Sequence, residues 1–122
     1  MKGRRGLVAG TAFGLTVVAA LFGPASAQDV PYVGTWAVRT SQCGVAQDKQ
    51  NAPLVMGRRG YDQHEVHCRF ASVRKQGDSW RVLANCSVEG DRQKHAFTLL
   101  VAGNRLTLRE GGARAVTYRR CR

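Results

Sequence analysis

The cysteines are the residues of this chain whose type and spacing predict the most definite chemistry. Cys68 and Cys86 each lie nine residues from Gly77, the centre of the polar stretch 76–79. If that stretch is a hairpin turn, the two cysteines face each other across antiparallel strands, where opposed residues come close enough for their sulfurs to bond. The spacing therefore predicts a Cys68–Cys86 disulfide.

The other two cysteines, Cys43 and Cys121, are then left to pair with each other. The chain has 4 cysteines in all, and an even number in an exported protein is typical of disulfides. A zinc site is the alternative, but structural zinc sites use close pairs such as C-x2-C, and no two cysteines here are that close. We therefore expect no metal, and cysteines that hold the architecture together rather than carry out catalysis.

Residues that act in catalysis form no recognisable pattern in this sequence. No serine lies in a G-x-S-x-G motif, and the few carboxylates are scattered, mostly at predicted turns. We expect a protein without enzymatic activity and without a cofactor.

Two histidines are candidates for a small polar cluster. Period-2 alternation places His64 on the same face as Cys68, and His95 on the same face as Phe97. If both lie at one rim of the sheet, they meet there with Asp62 nearby in sequence. The alternative is that each ring bonds to turn backbone, which makes the histidines structural rather than ligands of a metal or small molecule.

The N-terminus carries the pattern of a secretory signal peptide. A cationic start (Lys2, Arg4, Arg5) precedes the apolar run 7–22, and the small-x-small cleavage site 25–27 follows. An uncleaved membrane anchor is the alternative, since the run is only a little shorter than a spanning helix. We predict cleavage of residues 1–27 and a mature chain of residues 28–122, periplasmic or secreted, with no membrane segment left.

The elements that must position these residues are short β-strands. Apolar and polar residues alternate along most of the mature chain, and turn residues such as Gly90 and Gly103-Asn104 separate the runs. The pattern predicts one all-β domain, an antiparallel meander of seven or eight strands. A closed barrel is favoured over a sandwich because a Cys43–Cys121 bridge joins the two ends of the sheet and closure removes its exposed edges.

Both ends of the chain resemble the calycin-like barrels, which include the lipocalins, the avidins and small exported bacterial protease inhibitors. The resemblance rests on Gly34-Thr35-Trp36, a G-x-W motif on the predicted first strand, and on Arg119 and Arg120 on the last. It implies a closed barrel in which the first-strand tryptophan packs against a basic side chain of the final strand. The chain is much shorter than a lipocalin, which leaves little room for a ligand cavity.

The mature chain is strongly basic. Lys2, Arg4 and Arg5 precede the cleavage site, which leaves 16 Lys and Arg residues against 8 Asp and Glu, a net charge of +8. Such a charge favours anionic partners. Export argues against nucleic acid, so the expected partner is an anionic surface, a glycan or an acidic protein. An arginine-rich composition with no functional meaning is the alternative.

Two arginine clusters are the candidate binding sites. Arg58 and Arg59 lie beside Tyr61, whose ring is suited to stacking on a planar or sugar partner, and Arg119 and Arg120 form the second cluster. Forked guanidinium groups fit the geometry of carboxylates and phosphates. The sequence therefore predicts a non-catalytic binding protein whose affinity for anionic partners falls as salt rises.

Inhibition of an extracytoplasmic hydrolase is the alternative function. Pre-organised loops on a small disulfide-bonded barrel lose little entropy on docking, and residues 28–32 are predicted to be a flexible segment suited to an enzyme cleft. A structural role in the cell envelope, with no small ligand, is the third hypothesis.

Overall fold

Residues 30–122, together with Gly3, Gly6 and residues 10–16, are described by the computed structural model. The predicted signal peptide, residues 1–27, lies mostly outside the described residues, so its cleavage stays a prediction. Within the described part of the chain, no helix is long and apolar enough to cross a membrane.

Eight antiparallel strands of the described chain form one closed barrel in sequence order. Their bounds are β1 Gly34–Ala37, β2 Leu54–Met56, β3 Gly60–Gln63, β4 Val66–Gln76, β5 Ser79–Val88, β6 Asp91–Ala102, β7 Arg105–Glu110 and β8 Val116–Arg120. Each strand pairs with the next, and β8 returns to pair with β1. The prediction of an all-β closed barrel is confirmed.

Alternate residues of each strand point into the barrel, because successive side chains of a β-strand face opposite sides. Val82 and Ala84 of β5 are buried, whereas the neighbouring Arg81 and Leu83 are exposed. The same parity along the other strands builds an apolar interior, which Tyr32 joins from the segment before β1. The largest fully buried side chains are Trp36, Leu54, Met56, Leu99, Leu106 and Val82.

The β4–β5 hairpin carries the first predicted disulfide. Cys68 and Cys86 are directly opposed across the two strands and bonded to each other. Only 3% and 4% of the two residues are exposed. The bridge is therefore part of the core rather than a surface link.

The second disulfide lies at the seam where the barrel closes. The β1–β8 ladder pairs only Trp36 with Arg120 and Ala37 with Arg119. Cys121, the next residue, donates its N–H to the Thr35 carbonyl at 2.8 Å and is bonded to Cys43. Both predicted disulfides are thus confirmed, and two disulfides fit a protein of an oxidising compartment.

The strand β3 is hard to recognise in the sequence. It has 4 residues, and the polar Asp62 and Gln63 hide its alternation. Gly60 begins it because β3 and β4 approach closely there: an added Cβ would collide with the Cys68 carbonyl. β3 fills the place between β2 and β4 and completes the barrel.

The two ends of the barrel differ. At the lower end, where β1 begins, the Tyr32 ring lies edge-on to the Trp80 ring at 5.4 Å and to the Phe70 ring at 6.4 Å. The Trp36 indole N–H donates to the Tyr32 carbonyl at 2.9 Å. Aromatic packing therefore closes the lower end, whereas the upper end holds an open cup.

Candidate functional site

The outer face of strands β4 to β8 is basic. Its outward positions carry eight exposed cationic side chains and no Asp or Glu. We call this surface the basic wall; its members are Arg69, Arg74, Arg81, Arg92, Lys94, Arg105, Arg109 and Arg119. Among the described residues, no carboxylate forms a salt bridge with any of them. Strand pairing thus gathers cations that are dispersed along the sequence.

Two pairs of arginines on the basic wall are directly opposed. Arg74 faces Arg81 across β4 and β5, and Arg105 faces Arg119 across β7 and β8. The Cβ atoms of opposed residues are about 4.5–5.5 Å apart, and like charges in that arrangement destabilise a sheet. An anion placed between two such guanidinium groups relieves the repulsion through charge-assisted hydrogen bonds.

A shallow groove crosses the basic wall near the upper end. A depression of about 640 Å³ over β4 to β6 lies between Arg69, Arg92 and Lys94. A second depression of about 360 Å³ reaches Arg59 and shares His67 and Arg69 with the first. The two form one groove that runs across the strands from β2 to β6.

Among the described residues that line the groove, the one acidic side chain lies against a histidine. Asp62 Oδ1 lies 2.7 Å from His67 Nδ1, and the two residues are directly opposed across β3 and β4. The described groove residues are otherwise neutral or cationic. The groove therefore keeps a positive character along its length.

The first predicted arginine cluster lies only partly at the surface. Arg58 and Arg59 are exposed in the β2–β3 turn, and Arg59 borders the groove. Tyr61 points into the barrel instead, is 8% exposed and packs 5.9 Å from the Phe97 ring. Stacking of Tyr61 on a ligand at this cluster is therefore a wrong prediction, because the alternation of β3 turns its ring inward.

The second predicted cluster is divided between the two sides of β8. Arg119 is exposed on the basic wall. Arg120 points inward, with its guanidinium carbon 4.2 Å from the centre of the Trp36 ring. Its nitrogens donate to the carbonyls of Pro31 at 2.8 Å and Val33 at 3.1 Å. Arg120 closes the lower end and is not a free binding group.

The described part of the N-terminal segment is anchored. Residues 28 and 29 lie outside the described residues, but Tyr32 is 3% exposed and its hydroxyl donates to the Arg58 carbonyl at 3.0 Å. The Val33 N–H donates to the Val30 carbonyl at 2.9 Å. The prediction of a flexible insert is therefore wrong for residues 30–32, because Tyr32 is built into the core.

The two predicted rim histidines are held by different partners. His64 lies in the β3–β4 turn at a φ of 53°, and its Nδ1 is 3.1 Å from the Gln47 carbonyl oxygen. The positive φ ends the strand parity of β4 before His64, and the ring contacts loop backbone, which is the structural alternative that the sequence offered. Among the described residues, no group of three His, Cys, Asp or Glu side chains is arranged to hold a metal ion.

His95 faces the upper opening of the barrel. Its Nδ1 is 2.9 Å from Glu110 Oε2, and its Nε2 is 2.8 Å from Gln93 Oε1. This part of the barrel is a cup of about 340 Å³. Its lining residues are Leu54, Tyr61, Gln63, Val66, Val88, Gln93, His95, Leu108, Glu110, Ala113, Arg114, Val116 and Tyr118.

Two tyrosines in the cup resist ionisation. Burial, followed by the charge of Glu110 and the neighbouring Tyr118, raises the pKa of Tyr61 to about 12. Burial and the charge of Glu110 also raise the pKa of Tyr118. Both phenols are therefore neutral at physiological pH, and the negative charge of Glu110 acts on both of them.

Ser72 and Lys75 have the S-x-x-K spacing of some serine nucleophiles. Both lie on the extended strand β4, where residues three apart point to opposite faces. The Lys75 ammonium lies 5.8 Å from the Trp80 ring centre. The spacing therefore forms no nucleophile–base pair here.

Comparison of the chain with protein-family models, with curated proteins and with solved structures gave no significant match. The resemblance to calycin-like barrels therefore stays a prediction. The described chain is a small disulfide-bonded β-barrel with one basic outer face and one open end.

Proposed function

We propose that the protein is an exported, non-catalytic binding protein that holds an anionic polymer on its basic wall. The observation that carries the proposal is the direct opposition of Arg74 to Arg81 and of Arg105 to Arg119. Two like-charged pairs cost the free protein stability, and a bound polyanion offsets that cost.

An anionic glycan suits this surface better than a flat membrane or a folded acidic protein. The outer wall of a closed barrel is convex, so a flat surface touches few of the cations at once. A flexible chain follows the curvature and enters the groove between Arg59, Arg69 and Lys94. The predicted signal peptide supports a location in the periplasm or outside the cell, where such polymers occur.

The experiment measures binding of the oxidised protein to dextran sulfate at several salt concentrations. The paired variant R74Q/R81Q should bind at least about tenfold more weakly at 0.15 M salt. Its salt dependence should be shallower, because a surface with two fewer cations displaces fewer counterions from the polymer. The matched control R39Q/K49Q removes two exposed cations from the loop after β1 and should leave binding nearly unchanged.

Equal weakening in the paired variant and the control would show that only net charge matters and would contradict the proposal. Affinity that does not fall with salt would contradict it as well. Tighter binding to phosphatidylglycerol vesicles than to dextran sulfate would identify a membrane surface as the partner instead of a glycan.

Inhibition of a hydrolase remains the alternative prediction. The anchoring of Tyr32 in the core leaves residues 30–32, the described part of the segment expected to enter a cleft, unable to do so. An inhibitory function would then fall to the loops of the upper end.

A further inference from the structure

The cup at the upper end is separate from the basic wall. It is formed by inward positions of seven strands, β2 to β8, and by the β7–β8 loop, whereas the wall is formed by outward positions. Its volume of about 340 Å³ lies at the small end of the range of ligand sites, about 300–1,000 Å³. A cup of this size accommodates a compact ligand.

The cup combines apolar walls with one acidic group. Leu54, Val66 and Leu108 are among its apolar lining residues. Among the described residues, Glu110 is its only carboxylate and Arg114 its only arginine. Glu110 is partly buried, with 39% of its side chain exposed. One of its oxygens is 2.9 Å from His95 Nδ1, which leaves the other oxygen for a ligand.

The phenol groups of the cup have unused hydrogen-bonding capacity. Within the described residues, no hydrogen bond engages the hydroxyl of Tyr61 or Tyr118. Neither hydroxyl oxygen is buried without a hydrogen-bond partner, so each is accessible from the cup. Gln63 uses its amide nitrogen on the Ala52 carbonyl at 3.2 Å and keeps its amide oxygen. Tyr61, Tyr118 and Gln63 thus offer hydrogen-bond acceptors and aromatic surfaces to a ligand, while Arg114 of the β7–β8 loop adds a cation to the lining.

We propose that the cup binds a small ligand with a primary ammonium group and a compact apolar body. The ammonium donates to Glu110 and to the oxygens of Tyr61 and Tyr118, which together match its three N–H donors. The apolar body lies against Leu54 and Leu108. Aromatic rings beside a bound cation add to its attraction.

The test is calorimetric titration of the oxidised protein with 2-phenylethylamine and with its neutral counterpart 2-phenylethanol. The amine should bind at least tenfold more tightly than the alcohol. E110Q keeps a hydrogen-bond acceptor beside His95 but removes the charge, and it should abolish that preference. Y118F should weaken amine binding a few-fold while keeping the ring.

The control variant is T117V, which changes an outward residue on the same strand as Tyr118 and should retain the amine preference. Near-ultraviolet circular dichroism of each variant checks that the barrel is intact. Equal binding of amine and alcohol, no binding of the amine, or an unchanged preference in E110Q would overturn the proposal. Dextran sulfate binding is measured in the same samples, so failure of the cup and failure of the basic wall are distinguished.

Discussion

Arg120 is the residue on which the lower end of the barrel depends. Its guanidinium covers the Trp36 ring at 4.2 Å and donates to two carbonyls of the segment before β1. Gly34 is required beside it, because it has a φ of 151° and an added Cβ would lie 2.7 Å from Arg120 Nη1. One side chain thus connects the last strand, the first strand and the N-terminal segment.

Replacing Arg120 by methionine should lower the free energy of unfolding by about 2–4 kcal/mol. The decrease combines a cation–π interaction of about 0.5–2 kcal/mol with two hydrogen bonds from a charged donor. Urea denaturation measures it. R119M, which changes the exposed neighbour, should alter stability by about 0.5 kcal/mol or less. Equal effects of the two variants would contradict the role assigned to Arg120.

Period-2 alternation predicted the direction of a side chain correctly inside a long strand but not near the turns. His95 was predicted to face inward and does so, because β6 runs without interruption from Asp91 to Ala102. His64 was assigned a core-facing position, but its positive φ ends the parity of β4 before it. Tyr61 was placed at the surface because β3 is too short to show alternation.

In the β4–β5 hairpin, the sequence predicted the correct disulfide but not the β-bulge that brings its two cysteines opposite each other. The turn pairs Gln76 with Ser79, and that register alone would place Cys68 opposite Ser87. A β-bulge at Ala71, between the paired residues Phe70 and Ser72, shifts the ladder by one residue. Equal spacing from Gly77 predicted the right pair, but only because the bulge offsets the one-residue difference in register that the two-residue turn creates.

The Cys43–Cys121 disulfide and the β1–β8 ladder form the seam of the barrel. Because the ladder contains two paired positions and the bridge closes a sequence separation of 78 residues, removing the bridge should cost about 4 kcal/mol by the chain-entropy relation. Hydrogen exchange of C43A/C121A should show faster exchange in β1 and β8, while β4 to β6 stay protected.

The matched variant C68A/C86A tests whether that effect is local. Its bridge closes a separation of 18 residues and should cost about 3 kcal/mol from chain entropy, with an added cost from removing two sulfurs from the core. Its exchange should not rise selectively at the seam. Uniform acceleration across all strands in C43A/C121A would mean that the seam does not open separately from the rest of the barrel.

Over the whole molecule, charge is separated by position. The described acidic residues lie at turns, in the loop after β1, beside His67 or in the cup, and the basic wall has none. The sequence reveals the net charge of the chain but not this separation, since the cations of the wall are gathered by strand pairing. Closure was predictable from the cysteines, whereas the wall required the register of β4 to β8.

The separation implies that stability and anion binding oppose each other on the basic wall. R74E places a carboxylate opposite Arg81 and replaces a repulsive pair by an attractive one. A directly opposed pair of opposite charges stabilises a sheet by about 0.2–1 kcal/mol, and a pair of like charges destabilises it. The variant should therefore be more stable by about 1 kcal/mol. Its melting temperature should rise, and its affinity for dextran sulfate should fall further than that of an R74Q variant.

The control K49E makes the same change in net charge on the loop between β1 and β2, where Lys49 lies 3.8 Å from Asp48. It gains no cationic cross-strand partner, so it should not be stabilised and should bind dextran sulfate almost as tightly as the parent chain. If K49E reproduced both effects of R74E, relief of overall repulsion would explain them. If R74E alone gains stability while losing affinity, the opposed arginines are kept at a cost to the fold, and binding of a polyanion is the reason for keeping them.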